Sequence, residues 1–349
     1  MLNKIYKLVT HRKTFFLALV LLVCSINIHA QDLVADNMLL FQRSVGGWPK
    51  HWGNANVDYT KELGPAQKAD VNDDKNRNDA TIDNDATNKE IRYLLKTYKR
   101  TNNPAYLNAA ENGIRYLLKA QYANGGWPQF YPDTSFYRSE ITYNDNAMIN
   151  VMNLLQDVCD KVNDCEVVNK SFVPVAEEAV ARGIDCILKT QITVNGKLTV
   201  WCAQYDAKTL LPAKARSYEL VSLSGSESVG VVLFLMRVQH PSLQIKKAIN
   251  AAVGWFEKSE IKGYKVTTVK APSQPKGTDR IVVKDESSII WARFYDINTN
   301  EPFFSGRDGI KKTELKDIEY ERRNGYAWYG TWPEALLKKD YPKWVASNS

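Results

Sequence analysis

GIRYLLKAQYANGGWP, Gly113 to Pro128, contains two halves that the chain writes more than once. The second half, Q-x-x-x-G-G-W-P, already occurs at Gln42 to Pro49, and the first returns as GIDCILKTQ, Gly183 to Gln191, a shift of 70 residues. A fainter copy, Ala251-Ala252-Val253-Gly254-Trp255-Phe256, follows after another 70. Ala110, Ile114, Leu117 and Leu118 keep the spacing of one helical face, so each copy reads as an amphipathic helix closed by a turn. A glycine pair can end a helix in the left-handed conformation, and proline prevents the helix from resuming. Trp127 is therefore expected to seal its turn, and Trp201 to do the same in the next copy. Trp48 is open to a second role, because Pro49-Lys50-His51-Trp52 extends its loop with a cation and another ring.

Further helical patterns lie between the copies, at Asn88 to Arg100, Asn146 to Val162 and Ser226 to Gln239. Pairing them with the repeated helices gives consecutive helical hairpins. The expected fold is mainly α: an α/α toroid of three or so hairpins, whose long polar loops gather at one face and form a groove. Only Ile261 to Lys284 reads as strand, a small β-hairpin around a Pro/Gly-rich turn.

Of 349 residues, 44% are hydrophobic and 24% charged, the composition of a globular chain. Lys4, Lys7, Arg12 and Lys13 precede an apolar run from Thr14 to Ile26 and then Ile28-His29-Ala30. This is the pattern of a secretory signal peptide cut after Ala30, and the run is shorter than the ~20 residues of a membrane span. Residues 31–349 then form one domain, secreted or periplasmic. Four units of the +7 formal charge lie in the leader, leaving +3; so small a surplus suits an acidic ligand and is no nucleic-acid footprint. Cys159, Cys165, Cys186 and Cys202 remain after cleavage. Export permits disulfides, with three possible pairings, and free buried thiols are equally open.

Several loops are richer in polar groups than helix connections need. TIDNDATNKE (Thr81 to Glu90) carries Asp83 and Asp85, and ITYNDNAM (Ile141 to Met148) carries Asp145 between two asparagines. One oxygen donor per loop can cap the next helix; three are too many for that, and an all-oxygen cluster suits a hard cation such as Ca²⁺. PAKARSYELVSLSGSES (Pro212 to Ser228) places Lys214 and Arg216 before a helix start. FFSGRDG (Phe303 to Gly309) holds Arg307, and RRNGYAWYGTWP (Arg322 to Pro333) mixes cations with rings. Aromatic faces beside guanidinium groups suit sugar rings bearing carboxylates. With only His51 and His240 outside the leader, a histidine-built zinc site or a Ser-His-Asp triad has almost nothing to work with, and no phosphate-cradling glycine loop is present.

GGWPK, TIDNDAT, NGGWPQFYP, ITYNDNAM, ARSYE with SLSGSES, FFSGRDG and RRNGYAWYGTWP, in that order, resemble the pectate lyases of polysaccharide lyase family ten, from Gln31 to the C-terminus. The resemblance implies an α/α toroid and a Ca²⁺-dependent anti β-elimination of polygalacturonate by a monomer. It implies calcium ligands at Asp83 and Asp145, a catalytic base at Arg216 and a substrate-carboxylate contact at Arg307. Lys50, Lys214, Asn84, Asn146, Trp48 and Tyr326 are the further candidate substrate contacts. The chain departs from the family pattern at His51-Trp52 and by the extra carboxylate of Asp85. Two other readings stay open: a different toroid enzyme acting on uronic-acid polysaccharides, and a noncatalytic pectin-binding protein.

Overall fold

The computed structural model describes residues 32–348, so the leader and its cleavage point lie outside the described residues. A short helix α1 (Leu33–Phe41) is followed by α2 (Pro65–Asp73) and then by three antiparallel helical hairpins. These pair α3 (Asn88–Thr101) with α4 (Pro104–Ala120), α5 (Ala147–Asp160) with α6 (Phe172–Thr190), and α7 (Glu227–Arg237) with α8 (Leu243–Lys258). The first helices of the hairpins pack on one another, as do the second, which gives two helical layers with α1 against the first hairpin. The chain is thus mainly α, with the hairpin boundaries close to those read from periodicity. The expected strands also form, but the second is longer than the pattern suggested. Ile261–Lys270 pairs antiparallel with Thr278–Ala292, with a register shift between Lys284 and Ile289.

The repeated residues make repeated bonds. Gln42 Nε2 donates to Gly46 O (2.7 Å) and Ala109 O (2.9 Å); Gln121 Nε2 donates to Gly125 O (3.0 Å) and Ala179 O (2.8 Å); Gln191 Nε2 donates to Thr199 O (2.8 Å) and Ala248 O (2.9 Å). Each glutamine therefore ties its own turn to the outer helix of the next hairpin. The tryptophans repeat as well. Trp48, Trp127, Trp201 and Trp291 are buried, and their indole N–H groups donate to Met38 O, Leu117 O, Ile187 O and Phe256 O at 2.7–2.9 Å. Trp291 marks a fourth copy that the sequence pattern did not reveal. Gly125 must be glycine twice over: its φ is +90°, and a Cβ there would lie 2.0 Å from Arg182 O.

The inner helices α3, α5 and α7 all start at the polar loops, so three positive helix ends face one region. Short antiparallel bridges lace those loops together: Pro49 to Ala80, Thr81 to Phe130, Pro128 to Ile141, Thr142 to Gln204, and Ser224 to Phe294. Farther along the same helices, buried Asp157 of α5 pairs with Arg92 of α3 and Arg237 of α7. The four cysteines of the described residues are free thiols, and burial pushes the pKa of each upward. No helix of the described residues is long and apolar enough to cross a membrane.

Candidate active site

The Asp-Asn loops have an unusual backbone. Asn84 and Asp85 take φ of +48° and +63°, and Asp145 and Asn146 take +51° and +59°. Asn and Asp tolerate this region better than other non-glycine residues, and the left-handed turns set Asp83 and Asp145 close to one amide. Lys50 Nζ donates to Asp83 Oδ2 at 2.6 Å. With the Asn84 amide oriented to satisfy both neighbours, its oxygen accepts from Lys50 Nζ (2.9 Å) and its nitrogen donates to Asp145 Oδ2 (3.1 Å). Burial raises the pKa of Asp145, with Arg293 opposing the shift and Glu227, Asp83 and Glu219 adding to it.

Arg293 stands two residues after Trp291, as Lys50 stands two residues after Trp48. Its guanidinium is buried, pairs with buried Glu227, reaches Asp145 Oδ1 at 3.3 Å, and lies over the Tyr326 ring at 4.7 Å. Arg216 is held by Glu219, whose Oε2 accepts from the backbone N–H (3.1 Å) and from Nε (2.7 Å) and whose Oε1 accepts from Nη2 (2.6 Å). Nη1 is left for a ligand. Burial disfavours the charged guanidinium, but the Glu219 hydrogen bonds and charge outweigh it and hold Arg216 more firmly protonated than usual. Arg216, Arg322 and Arg307 surround the buried ring of Tyr218 at 5.1, 4.5 and 6.0 Å. Arg307 and Arg322 share the carboxylate of Glu321.

Asp83, Asn84, Asp145, Lys50 and Arg216 line a single cleft of about 280 Å³, together with His51, Phe130, Tyr137 and Arg138. Arg307 belongs to the arginine group around Tyr218. Lys214 is exposed on the Arg216 loop and Asn146 is exposed above α7, and neither lines the cleft. Trp48 requires correction. Its ring has no exposed surface and its N–H is used by Met38 O, so it is a structural seal like Trp127. Tyr326 is half-buried; its hydroxyl donates to Glu219 Oε1 at 3.2 Å, and its ring supports Arg293. Arg293, Glu219 and Glu227 were not found from sequence. The offset from tryptophan was the one available signal for Arg293.

Among the described residues no three histidine, cysteine, aspartate or glutamate side chains gather into a metal-binding group. What the cleft offers is two carboxylates flanking one amide, a donor set of hard oxygens with an ammonium ion held against it. The chemistry fits Ca²⁺, provided that water and a ligand carboxylate complete the six to eight oxygens the ion takes.

A cleft of oxygen donors lined by Arg138 and Arg216, at the loop face of a helical-hairpin array, is the site of an enzyme for an acidic polysaccharide, and the relatives make it a polysaccharide lyase. A model of the pectic acid lyase family matches residues 42–337, and the chain belongs to that family. It is similar to a family 10 polysaccharide lyase from Cellvibrio cellulosa, with 36% identity over 92% of this chain and 94% of that one and a TM-score of 0.78. A mutant of that family 10 lyase, solved in complex with trigalacturonic acid, is similar at 37% identity over 89% and 91% of the two chains, with a TM-score of 0.77. No curated protein matches the chain.

Proposed function

We propose that the chain is an exported, calcium-dependent pectate lyase with the closed α/α toroid of its relatives. It cleaves de-esterified homogalacturonan by anti β-elimination, with Arg216 as base, to give 4,5-unsaturated oligogalacturonates. One observation carries this reading: Asp83, Asp145 and Arg216, from three separate motifs, line one cleft. Asp83 and Asp145 would hold Ca²⁺, which when bound withdraws charge from the substrate carboxylate and so acidifies the adjacent C5–H. Arg307, Arg322 and Arg293 add fixed positive charge for the enolate-like transition state, preorganised by Glu321 and Glu227. With the guanidinium neutral, Nη1 of Arg216, the nitrogen not engaged by Glu219, accepts the C5 proton as the C4–C5 double bond forms and the bond from C4 to its oxygen breaks, that oxygen taking a proton from water. The leader in residues 1–30 exports the chain, and residues 31–349 act as one domain.

The test is ultraviolet absorbance of polygalacturonate incubated with the protein, first with calcium and then with excess chelator. A rise that chelator abolishes is the expected result. A hydrolase using the two aspartates as acid and base would release reducing ends without that absorbance and would ignore chelator; a binding protein would release nothing.

A further inference from the structure

The segment of residues 130–140, which lines the cleft through Phe130, Tyr137 and Arg138 and carries Phe136 beside them, has features that neither calcium binding nor proton transfer uses. Phe136 is 89% exposed, and its φ is +52°, a conformation that a bulky side chain adopts rarely. Strain of this kind persists where the surroundings impose it and clusters at ligand-binding sites. Here the surroundings are specific. Ser135 N–H donates to Asp133 Oδ1 at 2.9 Å, and Ser139 Oγ donates to Phe136 O at 3.1 Å, so the loop holds the ring out in water. Next in the chain, Tyr137 and Arg138 line the same cleft as Arg216. The Arg138 guanidinium lies 4.8 Å from the centre of the Phe130 ring and pairs with Asp133, so it is oriented before any ligand arrives.

We propose that this wall is an outer subsite for a uronate residue beyond the one being cleaved, with the Phe136 ring as stacking platform and Arg138 as carboxylate contact. A ring face offers a surface to the C–H side of a sugar, and a preoriented guanidinium fork matches a carboxylate. The inference rests on the polygalacturonate reading, which supplies the ligand class.

Phe136→Ala, Phe136→Tyr and Arg138→Gln are compared with the unaltered protein in steady-state kinetics on polygalacturonate. The same proteins are run in gels containing polygalacturonate with chelator, so that binding is read without turnover. The alanine and glutamine variants are expected to raise KM about three- to tenfold, the effect of losing one exposed stacking or cation–π contact. The loss falls on KM more than on kcat, gel retardation is reduced, and Phe136→Tyr restores both. Unchanged KM and unchanged retardation in both Phe136→Ala and Arg138→Gln overturn the subsite. If the unaltered protein forms no unsaturated product, the lyase reading fails on its own, and retardation still decides whether this wall binds the polymer.

Discussion

The base role proposed for Arg216 makes the hardest demand in the site, because an arginine must be neutral to take a proton and Glu219 favours its charged form. The ascending limb of the pH–rate profile should therefore lie on the alkaline side, since raising pH is what frees the base. Arg216→Ala should lower kcat by about 10² to 10⁴, the range for a positioned base. Glu219→Gln keeps an acceptor but removes the charge, so it should shift the ascending limb to lower pH by roughly one to two units while lowering kcat through looser positioning. A profile that does not move contradicts the role given to Glu219. Asp83 and Asp145 stood out as candidates because their loops hold more oxygen donors than a helix cap needs, and Arg216 through the family resemblance of ARSYE; the fold brings the three to one cleft. Glu219 was visible three residues after Arg216, but nothing in ARSYE tells a clamp from a solvated charge. Trp48 misled because a lysine and a second ring follow it, and only burial separates a seal from a platform.

The unit of construction is a helix, a glutamine, a left-handed glycine and a tryptophan, and its bonds recur from hairpin to hairpin, from Gln42 to Ala109, from Gln121 to Ala179 and from Gln191 to Ala248. Gly125→Ala combines a disfavoured φ with a Cβ against a backbone carbonyl. It should destabilise the fold by about 3 kcal/mol or more, measured as a lower midpoint of denaturant unfolding. Trp127→Phe keeps most of the ring and loses the bond to Leu117 O, and should cost about 1 kcal/mol. The three hairpins were legible because their helices are long and periodic. The fourth tryptophan was hidden because the long β-hairpin separates α8 from Trp291, where a short turn does this in the first copies. Helices α1, α9 (Tyr320–Gly325) and α10 (Tyr341–Asn348) are too short to establish a period.

Across the whole molecule, convergence of the loops places charge where solvent is scarce. Burial pushes the Glu90 carboxyl up to about 7, against the opposing pull of Lys89 and the Tyr59 hydrogen bond, and Glu90 Oε2 has no partner. The folded state thus holds this proton more tightly than the unfolded one, so its contribution to stability is full below pH 4.5 and is lost as pH rises through 7. Glu90→Gln, still able to accept from Tyr59, should raise the thermal midpoint above pH 7 by an amount worth up to about 3 kcal/mol and leave it unchanged near pH 4.5. The groove was legible as a consequence of hairpins in register, whereas its buried ion pairs depend on which loops meet. On the proposed function, loops from successive repeats bring Asp83 and Asp145 to one cation that the substrate helps to hold. Calorimetric titration of calcium, with and without trigalacturonate, tests it most directly. Weak calcium binding that the oligosaccharide strengthens is expected, with loss of both the binding and the coupling in Asp83→Asn and in Asp145→Asn. Calcium binding unaffected by either substitution, or indifferent to the oligosaccharide, would contradict it.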